Sequence, residues 1–377
     1  MKKIAFVLFS CLILLQYITM AQSLKSDTID VLNYNLVLDF TDFNNQILTG
    51  KASLKITPKM SINSLSLDLT ELTTDSVKIN SATQCNFIHN NEVLYINLPS
   101  TYSQQDTFYL DIFYHGHPIS EPGGWGGFYW TNSYAYNIGV AMIDNPHNYG
   151  RVMYPCLDDF IDRASYNFEV TVKSNHTAVC GGILQNVVDN GNDTKTFFWE
   201  LNEEIPTYLS SVAVGEYIAI EDTFNGINGQ IPIFIYVQPA DSQKAVSSFA
   251  KLKTTLSIFE DKFGPYEWPR VGYVSVPFNG GAMEHATNIA YPRFAIDGGL
   301  NYETLYAHEL AHHWFGDLIT CHHEKEMWIN EGWASFTEFT FTEEVYGKEA
   351  ADLNIINLLK DVLEYAHIED GGYFALS

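Results

Sequence analysis

His308-Glu309-Leu310-Ala311-His312 sets two imidazoles four residues apart, and Glu331 follows after eighteen intervening residues. On a helix, His308 and His312 share a face and can offer two nitrogens to one metal ion, while Glu309 stands roughly 100° round the axis. Two neutral imidazoles and a carboxylate suit a tetrahedral zinc ion with one position left for a water, which the metal acidifies and a nearby base can deprotonate. Glu309, offset from the ligands, is the natural base. A chain of this composition produces the five-residue pattern by chance roughly 0.05 times, so the elements around it must carry the reading.

Those elements are helical by pattern. Leu300 to Gly316 contains no proline and no internal glycine, and Leu305, Leu310, Ala311, Trp314 and Phe315 recur at three- and four-residue spacings, as in a buried helix that Gly316 stops. A second helix is expected from Glu331 to about Tyr346, capped by Asn330 and halted by Gly347. On it Glu338 falls nearly two turns beyond Glu331, on the same face, where it can accept the N–H of a ligand imidazole. Between the helices, His322 and His323 are adjacent, so their side chains diverge and they read as a solvated loop.

The chain before the helices is built differently. From Val31 to about Glu221 apolar and polar residues alternate, as in Leu32, Tyr34, Leu36, Leu38 and Phe40, or Phe108, Leu110, Ile112 and Tyr114. That period belongs to strands with one buried face, and this half reads as an all-β domain. The turn-rich segment Asp222 to Gly229 marks the expected boundary, giving domains 22–225 and 226–377. Beyond it come a strand at Ile231–Val237, a helix at Asp241–Phe263 and a strand at Val271–Val276 that leads into Gly280-Gly281-Ala282-Met283-Glu284-His285. The fold class is therefore α+β. Within the β half, Glu121 to Trp130 combines four glycines with four aromatic rings, fitting either an aromatic-anchored turn or a loop that touches substrate.

Composition excludes other classes. With 45 Asp and Glu against 20 Lys and Arg the formal charge is −25, which repels nucleic acid and anionic membranes. Residues 1–21 resemble a signal peptide: Lys2 and Lys3, an apolar run from Ile4 to Leu15, then Thr19-Met20-Ala21 with small residues at the cleavage positions. The expected location is secreted or periplasmic, with no membrane span in the mature chain, since no later stretch nears eighteen apolar residues. Cys85, Cys156, Cys180 and Cys321 form no C-x-x-C clip and are assigned to no pair.

Taken together, His308-Glu309-Leu310-Ala311-His312, Glu331 within Trp328-Ile329-Asn330-Glu331-Gly332-Trp333-Ala334, and the preceding Gly281-Ala282-Met283-Glu284 resemble the zinc aminopeptidases related to aminopeptidase N and leukotriene hydrolase. Tyr154-Pro155-Cys156-Leu157-Asp158-Asp159 is similar to that family's Phe-Pro-Cys-x-Asp-Glu stretch. The resemblance implies a saddle-like N-terminal β domain followed by a thermolysin-like α/β catalytic domain. It implies one zinc ion per chain held by His308, His312 and Glu331, with Glu309 activating the water. It implies peptide substrates with a free amino terminus bound by Glu284, with Gly281, Ala282, Met283 and His285 contributing to substrate binding. A carboxylate fixed beside the metal pairs with a terminal ammonium and offers nothing to an internal amide, which makes an exopeptidase.

Three departures from the family pattern stand out. His285 occupies the usual place of Asn, which alters reach and substrate preference. The family's second amine-binding residue has no clean counterpart among Asp144, Asn145 and Asn148. The family's oxyanion-stabilising Tyr lies in a Val-Tyr-x-Lys-Gly-like setting that Tyr346, Tyr365 and Tyr373 all lack. The resemblance thus implies an incomplete catalytic domain, with weak activity for this piece alone, and leaves a catalytically silent peptide-binding relative as the rival.

Overall fold

The computed structural model describes residues 25–145 and 147–364. The leader reading at 1–21 and the candidates Tyr365 and Tyr373 lie outside the described residues.

An eight-stranded sheet dominates the N-terminal half. Its strand Ile29–Asp42 runs antiparallel to Ile47–Pro58 on one side and parallel to Ala164–Lys173 on the other. Alternation drives this: Tyr34, Leu36, Leu38 and Phe40 are fully buried, while the residues between them are at least partly exposed. The register with Ile47–Pro58 shifts twice, between Val31 and Asn33 and between Asp39 and Asp42. The first shift leaves Leu32 half-buried and turns Ile29 and Val31 inward. Such a bulge is invisible in a pattern of apolar letters.

Two smaller sheets complete this half, one of three strands and one of four. In the four-stranded sheet, Tyr134–Ile138 is buried at every position because both of its faces are covered. Phe128 of the neighbouring strand Gly127–Trp130 stacks on Phe40 of the large sheet with ring centroids 5.7 Å apart. Asn137 lies 3.4 Å from the His285 ring of the C-terminal half.

The C-terminal half opens with its own four-stranded sheet, ordered Ile218–Gly226, Gly229–Val237, Val271–Val276, Ile289–Pro292, with the last three parallel. The expected boundary at 225/226 falls inside this sheet. Asp222 to Gly229 is turn-rich because it ends in a tight hairpin in which Gly226 pairs with Gly229, and the strands on both sides belong to one sheet. Sheet membership changes instead between Gly215 and Ile218.

Helices pack on this sheet: α1 (Ser242–Ser248), α2 (Leu252–Phe263), α3 (Glu303–His312), α4 (Trp328–Tyr346) and α5 (Lys348–Asp361). The single helix expected over Asp241–Phe263 is two, broken at 249–251. No proline or glycine signals the break. Phe249 is drawn into a ring cluster with Tyr273, Tyr291 and Tyr306, centroids 4.9 to 5.4 Å away, and that packing overrides the local period. Asn330 is likewise not a cap, because α4 begins at Trp328. Its side chain is buried, with Oδ1 accepting the Cys321 N–H at 3.2 Å and Nδ2 donating to Tyr208 Oη at 3.1 Å.

The halves are joined by Arg270, which is 1% exposed. Its guanidinium donates to the Cys180 carbonyl at 2.7 Å and to the Gly182 carbonyl, and lies over the rings of Trp199, Phe234 and Tyr236. The four cysteines among the described residues are unpaired and buried. The β-rich domain followed by a helix-rich one matches the α+β expectation. Among the described residues no helix is long and apolar enough to cross a membrane.

Candidate metal centre

Helix α3 presents His308 and His312 one turn apart, with their Nε2 atoms 3.1 Å from each other. Helix α4 brings Glu331 Oε2 to 3.4 Å from His308 Nε2 and 3.6 Å from His312 Nε2. A tetrahedral ion with bonds near 2.0–2.1 Å holds its ligand atoms about 3.3–3.4 Å apart, so this triad has the spacing of a zinc site. The other face of each ring is pinned. His308 Nδ1 lies 2.8 Å from Glu338 Oε1, and His312 Nδ1 lies 3.1 Å from the Phe315 carbonyl. Both acceptors hold the proton on Nδ1 and leave the Nε2 lone pairs facing the triad's centre.

Packing explains why the helices meet in this register. Phe315, just past α3, stacks on Trp333 of α4 with centroids 4.9 Å apart, and Tyr306 meets Phe341 edge-on at 6.4 Å. After α3 the chain turns at Gly316, whose φ of +141° favours glycine.

The electrostatics call for a cation. Glu284, Glu309 and His312 converge with ligand atoms all within 4.8 Å of one another, and Glu331 and Glu338 lie close by. Burial pushes the Glu309 carboxyl up to about 7, with the charges of Glu331 and Glu338 adding and His308 opposing. Burial, then Glu331 and Glu309, holds Glu284 well above the usual carboxylate range. Burial lowers His312 to about 4. It also disfavours charge on His308, yet hydrogen bonds to Glu331 and Glu338 carry that imidazole up to about 11. Crowding and burial thus favour the protonated forms of Glu284 and Glu309, and a divalent ion in the triad would supply the positive charge that lets these carboxylates ionise.

The segment before Glu284 forms one wall. Met283 exchanges both backbone hydrogen bonds with Ala290, at 3.0 and 2.9 Å, so it pairs antiparallel with the edge strand Ile289–Pro292. Gly281 sits at φ +136°, in the region that favours glycine. Gly281, Ala282, Met283 and Glu284 line a cleft of about 850 Å³ together with His308, Glu309, His312, Glu331 and Glu338.

His285 is the exception among the expected substrate contacts. It is fully buried and does not line the cleft. The backbone reverses after it, with Asn288 N–H on the His285 carbonyl at 3.0 Å and Thr287 at φ 62°. The ring therefore turns away from the cleft, and its Nε2 accepts the Gly139 N–H at 3.3 Å. A change at this position bears on domain contact rather than on direct substrate reach.

None of Asp144, Asn145 and Asn148 lines the cleft. The Asp144 carboxylate faces Arg151 at 3.6 Å, and Asn148 donates to the Asp159 carbonyl at 2.7 Å. The tip of Tyr346 bonds Glu303 and Lys251 instead. His322 and His323 are exposed, as a solvated loop requires.

The N-terminal half lines the cleft with Trp125, Val140 to Met142, His147 and Tyr208, and of these sequence reasoning reached only Trp125, within a loop read as either a turn or a substrate contact. Tyr208 Oη is engaged by Asn330 at 3.1 Å and by the Gly316 carbonyl at 3.3 Å. Trp125 lies in the glycine- and aromatic-rich stretch, whose composition was the available signal. Nothing in the sequence marks Tyr208.

Comparison with known proteins gives a consistent picture. Residues 31–209 match the Peptidase M1 N-terminal domain, and residues 247–370 match the Peptidase family M1 domain. The chain is 28% identical over 342 residues to leucine aminopeptidase 2 of Vanderwaltozyma polyspora, covering 84% of this chain and 49% of that protein. It is 30% identical over 237 residues to glutamyl aminopeptidase of Rattus norvegicus, covering 59% of this chain and 24% of that one. It thus spans about a quarter to a half of the length of these relatives. Among solved structures, the M1 zinc metallopeptidase from Deinococcus radiodurans superposes with a TM-score of 0.80 at 22% identity, over 91% of this chain and 77% of that one.

Proposed function

The chain belongs to peptidase family M1, and on that premise we propose that it serves a zinc-dependent aminopeptidase that removes N-terminal residues from peptides. His308, His312 and Glu331 would hold the ion. Zinc bound there supplies Lewis acidity, polarising the scissile carbonyl and acidifying a water. Glu309, on the same helix but off the ligand face, takes the water's proton and passes it to the leaving amine. The Glu284 carboxylate pairs with the substrate's terminal ammonium, while backbone N–H groups of Gly281 and Ala282 hold the peptide backbone.

The observation that carries this reading is the convergence of Glu284 with Glu309 and His312 within 4.8 Å. An amine-binding carboxylate so close to the base fixes the scissile bond one residue from the free terminus. In the full-length protein, Glu309→Gln is expected to lower kcat at least about a hundredfold, the ordinary worth of a positioned general base, with zinc content unchanged. Aminoacyl reporters should be cleaved and their N-acetylated forms spared. Equal cleavage of both forms excludes an exopeptidase, and turnover indifferent to Glu309→Gln excludes the assigned base. Zinc and peptide binding without turnover in the wild type points to the silent, peptide-binding reading. The Met1 to Ala21 pattern supports export, which extracellular or periplasmic recovery of the protein tests.

A further inference from the structure

The stretch from Glu121 to Trp130 has no part in the hydrolytic chemistry, yet Trp125 lines the same cleft as Glu284 and Glu309. Its indole Nε1–H donates to the Gly280 carbonyl at 2.7 Å, and its ring meets Phe278 edge-on with centroids 5.0 Å apart. A Cβ on Gly280 would come within 2.6 Å of the indole. Glycine there makes room for a ring supplied by the other domain.

Behind the tryptophan sits Glu121, 3% exposed. Its carboxylate accepts four backbone N–H groups, from Trp125 at 3.3 Å, Met142 at 2.8 Å, Ile143 at 2.6 Å and Asp144 at 2.8 Å. One buried anion therefore ties two cleft-wall loops together, and these hydrogen bonds hold it below the usual carboxylate range although burial opposes them. The loops also touch directly: a Cβ on Gly126 would lie 1.2 Å from the Val140 carbonyl oxygen. The wall is thus set before any ligand arrives.

This wall adjoins the amine end of the site. His285, next to Glu284, accepts the Gly139 N–H, and Gly139 leads directly into Val140, Ala141 and Met142, which line the cleft with Trp125. Leu305 and Met327 add apolar surface. The acidic and basic lining among the described residues consists of Glu284, Glu309, Glu324, Glu331 and Glu338 with His147, His308 and His312, and it contains no Lys or Arg.

We propose that Trp125, positioned by Glu121, selects the first side chain of the substrate: apolar side chains are accepted on the indole wall and acidic ones are rejected. The proposal rests on the aminopeptidase reading. It separates this cleft from what the name of the rat relative says of that protein. An apolar side chain gains contact area on Trp125, whereas a carboxylate enters a glutamate-lined cleft that offers no Lys or Arg to pair with it.

The test is a panel of aminoacyl reporters with the full-length protein, its Trp125→Ala and Trp125→Phe variants and Glu121→Gln. Wild type is expected to rank Phe and Leu above Ala, and Ala above Glu, in kcat/KM. Trp125→Ala should lower the Phe-to-Ala ratio about tenfold, the scale at which apolar pockets discriminate, and Trp125→Phe should retain most of it. Glu121→Gln puts an amide NH2 where four N–H groups need acceptors, and should lower the same ratio at unchanged zinc content. An unchanged ratio in Trp125→Ala, or a wild-type preference for Glu, overturns the proposal. If no free-amine reporter is cleaved, the aminopeptidase reading has failed, and calorimetric binding of L-phenylalanine against L-glutamate decides the wall separately. Preference for phenylalanine that weakens in Trp125→Ala supports the wall, and equal binding of both amino acids rejects it.

Discussion

Glu338 Oε1 lies 2.8 Å from His308 Nδ1, joining α4 to the metal-facing ring of α3 through a carboxylate that is not itself a ligand in the triad. Such a contact fixes the tautomer and rotation of the imidazole and raises its basicity toward the ion. Removing it by Glu338→Ala is expected to weaken zinc binding about 10- to 100-fold. Glu338→Gln, which keeps an acceptor oxygen, should lose less. Competition with a chromogenic chelator measures both, and wild-type affinity in the alanine variant would falsify this role.

Asp162 gives a pH-dependent stability unrelated to the metal. It is 2% exposed, its Oδ1 accepts the Val31 N–H at 3.2 Å, and Oδ2 has no hydrogen-bond partner among the described residues. Burial pushes its carboxyl up to about 8 against an unperturbed 3.8, with Asp159 and Asp30 adding and the Val31 N–H opposing. The folded state therefore holds a proton that the unfolded chain releases. This contribution is fully present below the unfolded value and is lost as pH rises through about 8. Its slope is at most about 1.4 kcal/mol per pH unit in that window. Asp162→Asn cannot ionise, so its stability relative to wild type should climb from pH 5 to 8 in urea titrations. A difference that stays constant with pH rules the buried acid out.

Arg270 makes a different claim. Its guanidinium partners are carbonyls and rings, so Arg270→Met leaves the Cys180 and Gly182 carbonyls without their donor, at a cost of about 2–4 kcal/mol. Arg270→Lys keeps the charge but loses the planar fork and should recover little. Because neither acceptor is ionised, the loss should be the same at low and high salt. Denaturant midpoints read this directly. A methionine variant as stable as wild type means the arginine contributes nothing to joining the halves.

What could be read beforehand follows from what is local. His308 and His312 meet because four residues make about one helical turn, and Glu338 shares a face with Glu331 because seven make about two. The strands of the large sheet show themselves through alternation, since one face of each is buried. Readings failed where contacts between distant segments decide. The ring cluster around Phe249 breaks a helix that has no breaker in its letters. The Gly226 to Gly229 turn looks like a linker until its two strands are seen paired. Asn330 fits a cap by type, but its side chain is spent on Tyr208 and Cys321. His285 sits beside Glu284 in sequence and faces the other way. Trp125 reaches the cleft from another domain, and no spacing rule spans the 155 residues to its partner Gly280.

The strand Ile29–Asp42 lies in the interior of the large sheet, and its parallel neighbour Ala164–Lys173 begins more than a hundred residues later. Closing a loop of that size costs about 4 kcal/mol in chain entropy before any pairing repays it. During synthesis the first strand must therefore wait, its buried-face residues Leu36, Leu38 and Phe40 covered on one side only, until Lys173 has emerged. The order of events in folding is set accordingly: the hairpin with Ile47–Pro58 can form early, and the sheet becomes continuous only late. Any chain halted before that point carries a long, apolar, unpaired strand edge, the feature that most invites association with other chains.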